Sequence, residues 1–76
     1  MEENYIHIFC YFMGDLLEQK KVSPQDFYFL LSQFEPICDG IKTRGGLIDF
    51  LDSYVDKYPG LNRLKKNLSD SNFIFS

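Results

Sequence analysis

Catalysis depends on titratable groups held in position, and this chain offers few of them. His7 is the single histidine. It lies beside an apolar stripe with no acid at the following turn to orient it, so a structural or surface histidine is expected. Cys10 and Cys38 fall in no C-x-x-C or Cys/His ligand spacing, and neither has a histidine or basic cluster nearby in sequence to lower its pKa. Buried free thiols are the expectation, with one disulfide between the first two helices as the alternative. No G-x-S-x-G, P-loop, dinucleotide fingerprint or H-E-x-x-H occurs. A chain of 76 residues is also expected to struggle to enclose a ligand-sized pocket of roughly 300 Å³. The inventory therefore predicts a protein that is not an enzyme, with no cofactor, no metal and no small-molecule substrate.

Two charged sets need weighing. Asp49, Asp52 and Asp56 recur at i, i+3, i+7, which aligns three carboxylates on one face of a helix. A D-x-x-D pair could hold a hard cation, but no glycine-centred loop or further ligand accompanies it. A solvated face is what amphipathicity requires there, and docking of a basic partner patch is the other reading. The basic set is Lys42, Arg44, Arg63, Lys65 and Lys66, which would make a small positive patch if the loop before the third helix lay beside the fourth. The fourth helix would then be the better candidate for a nucleic-acid groove, with Asn62, Arg63 and Asn67 as base readers. A net charge of −3 argues against that use, and nucleic-acid binding is kept as the alternative function.

These residues must be positioned by helices. Ser23-Pro24 with Asp26 is the clearest start signal in the chain: a serine cap, a proline at the first helical position and a capping-box acid. Behind it, Phe27, Leu30, Leu31 and Phe34 follow the i, i+3, i+4, i+7 spacing of a helix that buries one face. The same spacing predicts helices over about 3–20, 24–35, 46–57 and 60–69, with Tyr58-Pro59-Gly60 as a firm break. The expected fold is all-α: a single domain over 1–76, a small bundle of three main helices plus a short fourth around one core. At 45% apolar and 25% charged the composition is globular and not disordered. The most apolar run, Ile8 to Met13, is far short of the roughly 20 residues that span a bilayer. The start, Met1-Glu2-Glu3-Asn4, is acidic where a signal peptide is basic, so a cytoplasmic location is expected.

What the bundle explains least is its aromatic surplus, eight Phe and five Tyr. On the first helix Ile6, Phe9, Cys10, Met13, Leu16 and Leu17 make one stripe, while Tyr5, Ile8 and Phe12 make a second on an adjacent face. Tyr28 and Phe29 on the second helix, with Phe73 and Phe75 near the end, add to it. Exposed aromatic patches mark association surfaces. The sequence therefore predicts a protein-binding regulator, adaptor or inhibitor, or a homodimer, using Tyr5, Ile8, Phe12, Tyr28, Phe29, Phe73 and Phe75, with Asp49, Asp52 and Asp56 as acidic contacts. A purely structural, self-associating subunit is the further alternative.

Overall fold

Caps set the ends of the helices. In the computed structural model, which describes residues 3–75, α1 spans Tyr5–Glu18 and is capped by Asn4, whose side chain accepts the His7 N–H at 3.1 Å. It is shorter than the expected 3–20 because the chain leaves it through a Schellman turn. The Lys21 N–H bonds the Leu16 carbonyl at 2.9 Å and the Lys20 N–H bonds that of Leu17 at 3.0 Å. That turn needs a left-handed residue, and Lys20 supplies it at φ 61°. α2 spans Pro24–Phe34 with both halves of the capping box formed around Ser23 and Asp26. Pro36 then turns the chain into a short 3-10 turn, Cys38–Gly40. α3 spans Arg44–Asp52 behind a Thr43 cap, and α4 spans Leu61–Ser69. The described residues contain no strand, and the chain is an all-helical bundle.

α1 packs on α2, and α3 packs on α4. Joining the two pairs is an aromatic layer. Phe9 of α1 lies 4.6 Å from Phe34 of α2 between ring centroids, and Phe50 of α3 lies 5.1 Å from Phe34 and 5.8 Å from Phe9. Around it Met13, Leu16, Leu30, Leu47, Leu51, Leu61 and Leu64 are almost wholly buried. Gly60 sits at the start of α4 where a Cβ would come within 3.3 Å of Leu16, so its lack of a side chain lets α4 approach α1. The radius of gyration, 11.6 Å, matches the value of about 11 Å expected for this length.

The third helix differs from expectation at both ends. It starts at Arg44 because Thr43 accepts the Gly46 N–H at 3.1 Å. It stops at Asp52, five residues before the expected Lys57. At Ser53 and Tyr54 the bonds tighten to a three-residue step, Ser53 N–H to Phe50 O and Tyr54 N–H to Leu51 O. Tightening turns Tyr54 onto Phe50 and Phe29, and it lets the Tyr58 hydroxyl donate to Asp26 Oδ1 at 3.1 Å.

The second stripe of α1 also needs correction. Ile8 and Phe12 do not stand outside the bundle: each is only 8% exposed and belongs to the core cluster. α4 and the C-terminal segment close over that side of α1, a contact between distant parts of the chain that the helix's own periodicity does not report. Tyr5 is half-buried and its hydroxyl donates to Glu3 at 3.1 Å.

Candidate partner-binding groove

α1, α4 and the C-terminal segment do not meet flush. Between them runs an open groove of about 320 Å³. Its floor is Ile8 and Phe12, with His7, Tyr11 and Asp15 along the rim of α1. Arg63 and Asn67 of α4 form the second wall, and Phe73, Ile74 and Phe75 the third. The volume reaches the lower end of the ligand-pocket range, more than the chain length led one to expect, although the space is a cleft and not a chamber. Its lip is apolar: Tyr11 is 76% and Ile74 79% exposed. His7 stacks beside Tyr11 at 6.2 Å. At the far end Arg63 pairs loosely with Asp15 at 3.6 Å while its guanidinium lies 5.7 Å from the centre of the Phe12 ring.

The third wall is held by one residue. Arg44, at the first position of α3, donates from Nε to Glu3 Oε1 at 2.9 Å and from Nη2 to Glu3 Oε2 at 2.7 Å. The same guanidinium donates to the Asp70 carbonyl at 2.9 Å and the Phe73 carbonyl at 2.7 Å, and it lies 5.0 Å from the Phe75 ring centre. A cation at a helix N-terminus opposes the helix dipole, and the Glu3 carboxylate offsets that. The bonds from Arg44 hold the Glu3 carboxyl below its usual range against a smaller desolvation effect, and Glu3 in turn pushes Arg44 up. Phe75 is half-buried beneath this clamp and Phe73 is 37% exposed. Of the terminal Phe73-Ile74-Phe75, Phe75 docks, while Ile74 points to solvent.

The remaining candidates lie elsewhere. Tyr28 and Phe29 are 72% and 42% exposed on the outer side of α2. Phe29 meets Tyr54 edge-on at 6.1 Å, and the Lys57 ammonium lies 5.5 Å from its ring centre. Asp49 and Asp52 are exposed on α3, where Asp52 pairs with Lys65 of α4. Asp56 falls in the turn after α3, so the three carboxylates do not line one helix face. Among the described residues no three His, Cys, Asp or Glu side chains gather at metal-ligating range. The basic set is likewise divided: Arg44, Arg63 and Lys65 each face a carboxylate. Among the described residues no helix is long and apolar enough to cross a membrane.

Two groove features escape a reading of the sequence alone. Tyr11 belongs to neither apolar stripe of α1, and its exposure depends on how α4 covers Ile8 and Phe12. Arg44 looked like a loop cation; its clamp joins residues 26 to 41 positions apart in sequence, beyond any local signal. Compared with known proteins, the chain matches no protein-family model, no curated protein and no solved structure.

Proposed function

We propose that the protein acts by binding another protein, and that the groove between α1, α4 and the C-terminal segment receives an apolar-anchored peptide segment of that partner. The observation that supports this reading is a concave site with an apolar floor, Ile8 and Phe12, beneath an exposed apolar lip, Tyr11 and Ile74. Aromatic and aliphatic side chains in a pocket are where binding energy concentrates. With Ile8 and Phe12 already covered, the exposed apolar set on this side suffices to grip a segment. It is thin for the 20–30 residues per side, roughly, that a standard dimer interface uses. Pairing of three basic residues with carboxylates argues against the nucleic-acid alternative, because ion-paired cations release fewer counterions on phosphate binding. The free thiols fit a reducing, cytoplasmic setting.

The test is selection of random displayed peptides on the immobilised protein, with counter-selection on a Tyr11→Ser, Ile74→Ser variant of the same helical content. A recurring motif of spaced apolar residues, enriched on the parent and absent on the variant, is expected. No enrichment, or the same enrichment on both, overturns the reading.

A further inference from the structure

Charge is unevenly divided around the groove. The charged groups that line it are Asp15 on α1 and Arg63 on α4, with His7 further along the α1 rim. The Asp15 Oδ2 atom that faces Arg63 already accepts the Gln19 side-chain amide at 3.1 Å. Arg63 has no such second partner. Its Nη2 stands 3.6 Å from that same oxygen, too far for a hydrogen bond, and among the described residues the guanidinium donates none. α4 itself holds no acid over Leu61–Ser69: its groove side offers Arg63 and Asn67, and the exposed Lys66 beside them pairs with no carboxylate among the described residues. We infer that the segment received by the groove is acidic as well as apolar, and that a carboxylate set beside its apolar anchors takes the Arg63 guanidinium as a bidentate partner. This inference rests on the groove being the binding site.

The two parts of the site divide the work. Ile8 and Phe12 below, with Tyr11 and Ile74 at the lip, take the apolar anchors, where most of the affinity arises. Arg63 lies 5.7 Å from the centre of the Phe12 ring, so the cation stands at the edge of that floor. A guanidinium is planar and carries five donors in a fork that matches the two oxygens of a carboxylate. An ion pair against an apolar floor is screened less than one in open water, and it fixes the register of the segment along the groove. Asp15 keeps its bond to Gln19 when Arg63 turns to the partner. A nucleic-acid backbone is the poorer occupant, because it needs several cations in a row, and Arg44 and Lys65 are engaged by Glu3 and Asp52. One open cation beside an apolar floor suits a single carboxylate on an apolar segment.

The test reads the sequences of random displayed peptides selected on the full chain, then measures one of them against its amide twin. An Asp or Glu should recur at a fixed spacing from the apolar anchors. Changing that acid to Asn or Gln should weaken binding to the parent about three- to fivefold. On Arg63→Gln the acid and amide peptides should bind alike, which assigns the lost interaction to this pair. Arg63→Lys keeps the charge but not the fork, so it should show an intermediate acid-to-amide difference, and it carries the test if the glutamine variant loses helical content. An apolar motif with no recurring acid, or the same acid-to-amide difference on the parent and both variants, overturns the inference and leaves the groove reading standing. Absence of any motif overturns the groove reading and this inference with it. Binding of random-sequence single-stranded DNA that is lost in Arg63→Gln would place a phosphate on Arg63 and overturn the inference as well.

Discussion

Two aromatic patches reach the surface of this protein, and they are built in opposite ways. On α2, Tyr28 and Phe29 stand exposed, and Phe29 is engaged by Tyr54 and Lys57. On the α1–α4 side, Tyr11 and Ile74 overhang a groove whose floor is core, Ile8 and Phe12. Exposure alone is ordinary for a tyrosine. What marks the groove patch is a floor against which an incoming side chain can be desolvated on several sides.

The groove is disrupted most severely through its floor. Phe12→Ala should destabilise by about 3–5 kcal/mol, as Phe34→Ala should in the aromatic layer, because each leaves a cavity in the core. That is much of a small domain's stability, commonly about 5–15 kcal/mol. Tyr28→Ala on the α2 patch should change stability by less than about 0.5 kcal/mol. Denaturant unfolding decides it: a Phe12→Ala protein as stable as the parent would remove Phe12 from the floor.

Next in size is the clamp. Arg44→Ala should release the C-terminal wall, seen as fast amide exchange and averaged shifts across residues 70–75, with α2 and its capping box unchanged. Arg44→Lys should not restore it, since an ammonium lacks the planar fork that meets Glu3 at two oxygens. Full protection of that segment in the alanine variant would show that apolar docking of Phe75 alone suffices.

These two regions also show how far the sequence could be read. α2 was legible down to individual bonds, because its signals are local: Ser23, Pro24 and Asp26 lie within four residues and the capping box forms as their types dictate. Even there, the Tyr58 hydroxyl on Asp26 arrives from 32 residues away and leaves no local trace. The all-helical class and the breaks near Ser23 and Pro59 were equally local. The groove was not. Its floor was mistaken for an outer stripe because a helix's periodicity counts its apolar faces without saying how many neighbours will cover them. α1 has neighbours on two sides, α2 against Phe9 and α4 against Phe12. The early end of α3 was invisible for the same reason, since the pull of Phe29 and Asp26 on Tyr54 and Tyr58 is tertiary.

Smaller effects sharpen the contrast between locally and distantly set features. Ser23→Ala should cost about 1 kcal/mol by removing the acceptor of the Asp26 N–H. Lys20→Gly should instead stabilise by up to about 1 kcal/mol, because Lys20 holds a left-handed conformation that glycine adopts without steric conflict. Thermal unfolding separates the two signs.

The smallest effect is with pH. Glu3 titrates lower in the folded chain than unfolded, so its pairing with Arg44 contributes stability that is fully present above the ordinary carboxyl value of 4.5. That contribution is lost as pH falls through the lowered folded value. Glu3→Gln should flatten this part of the acid limb of the stability profile; an unchanged profile would show that the pair adds nothing to folding.

Binding in the groove is tested most directly by the affinity of a peptide selected on the parent protein for two double variants, by calorimetry at matched helical content. Tyr11→Ser with Ile74→Ser should weaken binding at least about tenfold, or 1.4 kcal/mol, while Tyr28→Ser with Phe29→Ser on the α2 patch should leave it within about threefold. Equal losses in the two variants, or a loss confined to the α2 pair, would contradict the account.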